Sequence, residues 1–355
     1  MSAVRSSSTL SRKDQKRQKF EEKKEKALVE QRKLDERQRW VDDNAAFAVW
    51  VTDPSVPEPA LEPYKNLKEG GENDDSLFVA EGTETVKVLL TQMMESAAAA
   101  RVPMQLESIL LKPSLFFDEP VKLQTNVEAA VTFLSEKQQS MFKVMLANEK
   151  VLSEISGFQT SRGCVACGRV PQGFDEDWLM DRVRTSAERT IKGGSSHRQL
   201  RLLAVDGVSD TANLGSLIRT ASALHIDVLI LSHDACDPWY RRSVRVSMGH
   251  IARVPIVRVP NLANTLRQLD QVACFAAVVQ QDLPCCLSLG KMQPGDVPRR
   301  WCCVVGNEGN GVSEPVIAAC THAITIEMDA GVDSLSLPVA AGILLHGLRE
   351  KESTS

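Results

Sequence analysis

Between Leu200 and Met328 the chain alternates six short apolar runs with helix-like stretches. The runs are "LRLLAVDG", "HIDVLILS", "ARVPIVRV", "CFAAVVQ", "WCCVVG" and "HAITIEM"; helical periodicity lies between and after them, as in "NLGSLIRTASAL" and "SLPVAAGILLHGLRE". Near-continuous apolar strands of four to eight residues alternating with helices predict a mostly parallel sheet covered on both faces, an α/β fold. In such sheets ligands bind at loops that leave the strand ends. The loop after the fifth run, Gly306-Asn-Glu-Gly-Asn-Gly311, has the spacing G-x-x-G-x-G. It is neither the dinucleotide fingerprint nor a P-loop, which ends in Gly-Lys-Ser/Thr. Its glycines point to main chain that approaches a ligand closely, and the ligand is something other than NAD or ATP.

The 355 residues leave room for more than this unit. Residues 1–75 read as a charged arm and a Pro/Gly/acid-rich linker. Residues 76–172 read as a small α/β domain, 173–199 as a second linker, and 200–352 as the main domain. No apolar run reaches the roughly 18 residues of a membrane helix, so no membrane partner is expected. Nine cysteines, several inside apolar runs, fit reduced thiols in an intracellular compartment. The net charge of −4 hides an asymmetry: residues 1–41 carry 13 Lys/Arg against 7 Asp/Glu, net +6, which leaves −10 on the remainder. A basic arm of this kind can meet phosphate whatever the total charge. The Ser/Arg-rich first 13 residues are compatible with mitochondrial targeting, and the arm equally with a nucleolar or cytoplasmic protein.

Three loop segments carry candidate chemistry. The first has Asn213, Gly215 and Arg219, with Asn213 able to cap a helix that begins at Leu214. The second is the glycine loop, with Glu308 as its carboxylate. The third, "ITIEMDAGVDSLSLPVAAGILL", runs from a strand into an apolar helix with Ser334 near its head. Each has a bland reading as cap, turn or surface charge. The segment "WYRRSVR" adds Arg241, Arg242 and Arg245 beside aromatics, a combination suited to unpaired bases and phosphates, or to an ordinary basic helix face. Cys164-Val-Ala-Cys167 lacks a second ligand pair at zinc spacing and reads as structural, so no metal is expected.

Together the three segments resemble the SpoU-type (TrmH-like) RNA 2′-O-ribose methyltransferases of the SPOUT class. Asn213, Gly215 and Arg219 match the family's first motif, and Gly306 through Gly311 matches its second at every place. Ile326, Met328, Ser334 and Leu335 match the third, and Arg245, Ser247 and Gly249 a further segment. The match is strong over roughly 200–350 and weak over 76–172, where "LFVAEGTETVKVLL" is similar to the family's substrate-binding domain, itself like a small ribosomal protein. The resemblance implies a deep trefoil knot that holds S-adenosylmethionine. Gly306, Ile326 and Leu335 would hold it, with Met328 and Gly311 nearby. It implies that Arg219 acts on the ribose hydroxyl, supported by Asn213, Glu308 and Ser334. It also implies a ribosomal RNA or tRNA substrate, and a homodimer or a heterodimer with a related subunit. The chain departs from the pattern at Ala212, Glu327, Ser336 and Pro338; Ser336 stands in place of an Asn, and Glu327 brings a charge beside the cofactor pocket. A methyltransferase-fold ribosome-assembly factor with catalysis weakened or lost, acting on a pre-ribosomal particle, is the alternative.

Overall fold

The computed structural model of the chain describes residues 12–55, 58–65, 67, 76–99, 103–157, 163–191, 199–279, 286–329 and 331–352. All but two of the Ser/Arg-rich first 13 residues lie outside this set. The first half contains α1 (Arg12–Asp43), β1 (Ala48–Val51), β2 (Leu77–Glu81), α2 (Thr83–Ala99) and β3 (Gln105–Leu111). Three short helices follow: α3 (Pro113–Phe117), α4 (Gln124–Val131) and α5 (Glu136–Met141). Then come β4 (Lys143–Ala147), α6 (Glu149–Ser156), β5 (Cys164–Arg169) and α7 (Glu176–Ile191). The second half begins with β6 (Leu200–Val205), α8 (Thr211–Ala223), β7 (Val228–Leu231), α9 (Arg241–Val246), β8 (Ile256–Arg258) and α10 (Leu262–Gln268). It continues with β9 (Ala273–Ala277), β10 (Cys286–Ser288), β11 (Arg300–Val305), α11 (Glu314–Ile317), β12 (His322–Thr325) and α12 (Leu337–Glu350).

The strands form two sheets. Strands β6–β12 form a seven-stranded sheet of order β10-β12-β9-β11-β6-β7-β8 in which every pairing is parallel. The six apolar runs are all strands of it. The seventh, β10, is a three-residue, half-buried edge strand with no periodicity to announce it. Alternation along β6 and β11 explains the burial. Leu203, Val205, Trp301, Cys303 and Val305 pack into one core, whereas Leu202, Ala204, Cys302 and Val304 pack into the other, on the opposite face. Adjacent cysteines of β11 therefore serve two cores, and burial pushes the Cys303 thiol up to about 12.

The smaller sheet has order β1-β4-β3-β5-β2 and mixes parallel with antiparallel pairs. Two expectations need correction here. The stretch 1–75, read as arm and linker, contributes β1 to this sheet and a 3₁₀ turn, Pro59–Tyr64, whose Leu61 and Tyr64 are fully buried. The Tyr64 hydroxyl donates to the Ser108 carbonyl at 2.9 Å. The prolines there shape a packed turn that seats two large apolar groups in the core, and no linker needs such groups. The stretch 173–199, read as a linker, holds α7, whose Leu179 and Val183 are buried against the large sheet.

Candidate active site

The glycine loop is fixed by its own main chain. Asn307 and Gly311 exchange backbone hydrogen bonds of 2.9 and 2.8 Å, which folds the loop back on itself directly after β11. A Cβ on Gly306 would fall inside the main chain of Gly311 and Val312, so no other residue fits there. Gly311 takes φ +69°, in the left-handed region. Asn307 completes the loop: its Oδ1 accepts from the amides of Gly309 (2.8 Å) and Asn310 (3.3 Å), and its Nδ2 donates to the Gly207 carbonyl at 2.7 Å. The sequence reading passed over this residue. The signal was present, since an Asn two residues before a Gly is a familiar Asx-turn.

Across the sheet edge stands the first turn of α8. Asp210 is its cap, with Oδ1 accepting from the amides of Ala212 (2.6 Å) and Asn213 (2.9 Å). The Asn213 amide bond, with that of Ala212 and the nearby Arg242 guanidinium, holds the Asp210 carboxyl below its usual range. Asn213 is therefore not the cap, as one reading had it; the Asp210 carboxylate takes that place, and the Asn213 side chain is released for other work. Its Nδ2 donates to Glu308 Oε1 at 2.9 Å, joining the first two motifs.

A cleft of about 840 Å³ opens at this end of the sheet. Asn213, Gly306, Glu308 and Gly311 line it from one side, and Ile326, Met328, Ser334 and Leu335 from the other. Eight of the nine catalytic and cofactor candidates thus share one cavity. The ninth, Arg219, is exposed on α8 and is not among the lining residues. Its charge reaches His250, whose pKa is lowered by burial, then by Arg253 and Arg219. The polar lining residues that escaped the sequence reading include Asp333, Asn307 and Asn310. Ser336 also lines the cleft and sits at the N-cap position of α12 with no side-chain cap bond.

Glu327 stands between the lining residues Ile326 and Met328 and is not itself among the lining residues. Its Oε1 accepts from Ser288 Oγ at 2.7 Å, with Lys291 Nζ at 3.6 Å. The residues present suit a small cationic nucleoside donor. The volume lies in the usual range for cofactor sites. Ile324 and Leu344 give apolar walls, the glycine loop offers bare main chain, and Glu308 and Asp333 supply negative charge.

The arginine segment is divided by the fold. Trp239 turns inward to Phe78, ring centroids 4.9 Å apart, and Arg245 Nη1 pairs with Glu81 Oε2 at 3.3 Å. Tyr240 is 52% exposed and Arg242 is exposed, so these two remain for an external partner, with Arg241 half-buried. Cys164 and Cys167 lie buried within β5, their thiols pushed up to about 12 by burial. Among the described residues no group of three or more His, Cys, Asp or Glu side chains could hold a metal ion.

Residues 201–346 match the family described as the SpoU rRNA Methylase family. The 23S rRNA (guanosine-2′-O-)-methyltransferase RlmB of Escherichia coli K12 is 30% identical over 202 residues, 57% of this chain and 76% of that protein. An uncharacterized tRNA/rRNA methyltransferase of Mycobacterium tuberculosis is 28% identical over 201 residues, 56% of this chain and 64% of that protein. The chain thus spans just under two thirds of the mycobacterial relative. Among solved structures, the AdoMet-bound rRNA methyltransferase from Sinorhizobium meliloti aligns with a TM-score of 0.61 at 22% identity, covering 85% of this chain and 97% of that one, a likeness of fold.

Proposed function

The chain belongs to the SpoU rRNA methylase family, and we propose on that premise that it is an S-adenosylmethionine-dependent RNA 2′-O-ribose methyltransferase, with ribosomal RNA favoured over tRNA as substrate. The observation that carries this reading is the Asn213–Glu308 hydrogen bond at the mouth of the glycine-loop cleft, which brings two chemistry-bearing motifs onto one reacting position. When bound, S-adenosylmethionine supplies a methyl group on a cationic sulfonium.

The residues of this chain do the rest. Gly306 and Gly311 let the main chain close on the donor, and Ile326, Met328 and Leu335 form the wall against which it rests. Asn213 fixes the orientation of Glu308, and Ser334 stands at the opposite lip. A ribose hydroxyl is a poor nucleophile, and holding it in line can supply up to roughly 7–11 kcal/mol of the barrier. Arg219 is a phosphate clamp and a stabiliser of the developing alkoxide; a guanidinium, all donors and no acceptor, does not serve as the base.

Arg219 lies outside its own chain's cleft, and this supports a dimer in which each copy lends its arginine to the other. An apolar face fits that role: Val339 and Ile343, one turn apart on α12, are 51% and 40% exposed, and α12 packs on α8, with Gly342 beside Thr220. The lining of one cleft by the loops after β11 and β12 agrees with the family's trefoil knot. Tyr240 and Arg242, the exposed members of their segment, supply base stacking and phosphate contact. The charged α1 arm favours ribosomal RNA, and the mitochondrial matrix is the compartment proposed.

The test is methyl transfer from labelled S-adenosylmethionine to ribosomal RNA, paired with ribose-methylation mapping of RNA from cells lacking the protein. Loss of a mapped methyl group is expected. Purified protein that fails to bind S-adenosylmethionine ends this reading, and binding without transfer favours the assembly role.

A further inference from the structure

The inward face of α9 joins the two sheets. Glu81, the last residue of β2, is almost fully buried, with its side chain 4% exposed, and Arg245 meets it at 3.3 Å. Phe78 of the same strand packs on Trp239 just before α9. Just after α9, Gly249 takes φ +79°, and a Cβ there would stand 2.8 Å from the Thr85 carbonyl oxygen of α2. The small sheet's β2 and α2 therefore grip this segment at three points: an ion pair, a ring contact and a main-chain approach.

The same segment presses on the helix that serves the cleft. A Cβ on Gly215 of α8 would stand 2.6 Å from the Ser243 carbonyl oxygen of α9. Ser243 Oγ donates to the Thr211 carbonyl at 3.0 Å, at the head of α8. Two residues on, Asn213 reaches Glu308. The path from β2 through α9 and α8 to the cleft runs over the half-exposed Arg245 side chain, two close main-chain approaches and the Asn213–Glu308 side-chain bond.

We propose that Glu81 and Arg245 form a latch that fixes the small N-terminal unit against α9, so that RNA held by that unit presents its ribose to the cleft. This rests on the methyltransferase reading above. Glu81 and Arg245 are positioning residues. A buried carboxylate without a cation is costly, so the placement in which Arg245 meets Glu81 is favoured over any in which the unit swings away. The latch sets the register between RNA grip and methyl donor, and its loss is felt in substrate recognition before chemistry.

The test uses the full chain with Arg245→Met, which keeps the packed stem, Glu81→Gln, and the double variant. Each single variant is expected to raise KM for RNA about tenfold, with kcat at saturating RNA and S-adenosylmethionine affinity held within about twofold; the double variant is no worse than either single. Small-angle scattering is expected to show a larger radius of gyration in the variants. Unchanged KM with unchanged scattering overturns the latch, and so do parallel losses of donor affinity and thermal midpoint, which mark a folding role alone. If the wild-type protein methylates no RNA, the methyltransferase reading fails by itself; scattering then still judges the latch, and identical profiles for all four proteins reject it.

Discussion

At Gly306 and Gly311, two residues of one loop, the reasons for glycine differ, and so do the expected costs. Gly311 has open space around its Cα and a left-handed backbone, so Gly311→Ala is expected to cost only about 1 kcal/mol of strain and to leave donor binding measurable by calorimetry. Gly306 has no space at all, and Gly306→Ala is expected to abolish that binding. Arg219→Ala is expected to cut methyl transfer about 100-fold or more while donor affinity stays nearly unchanged; full activity would remove it from the mechanism. His250 gives a pH dependence. Its folded pKa is lowered, so the unfolded chain binds the extra proton first, and stability is complete above the unfolded value near 6.5 and declines as pH falls below it. His250→Gln is expected to flatten that acid limb in thermal melts. The candidate residues were readable because their motifs pair unusual residue types at fixed spacing. Asp333 was not, since a single acid in a polar loop has no pattern, and neither was the pairing of Arg245 with the buried Glu81, because 164 residues separate them.

Among the elements, β6, β7, β8, β9, β11 and β12 were legible because buried parallel strands are short apolar runs. The packed turn at Pro59–Tyr64 and helix α7 were not. Proline and acid content signals a linker until two buried side chains, Leu61 and Tyr64, say otherwise, and the polar face of α7 outweighs Leu179 and Val183 in a composition window. At the head of α12, Ser336 occupies the cap position without making the bond. Asn is among the best caps, so Ser336→Asn is expected to raise the thermal midpoint slightly and to leave methyl transfer equal or higher. A sharp fall in turnover would show a cleft rebuilt around serine.

For the whole molecule, the placement of Arg219 makes a sharp statement about assembly. Co-expression of Arg219→Ala with Gly306→Ala pairs a chain that has a sound cleft with one that has a sound arginine. If the arginine acts across a dimer, about a quarter of wild-type activity returns from two dead variants; if it acts within one chain, none does. Fold class and sheet direction were visible from residue order alone, whereas the way the two sheets meet was not, because it rests on single contacts such as Phe78–Trp239 that no local window contains. The segment just after α12 has its own fastening: Glu352 is 7% exposed, receives Arg201 at 2.6 and 2.8 Å, and accepts from Trp301 Nε1 at 2.7 Å. Glu352→Ala strands a buried guanidinium and is expected to lower stability by about 3 kcal/mol in urea titration.

The cleft draws its lining from Asn213 at one extreme and Leu344 at the other. A nascent polypeptide that has not yet been extended past Leu344 carries only part of that lining, so occupancy by the methyl donor waits on synthesis of that stretch, and products truncated before it are denied whatever protection occupancy confers.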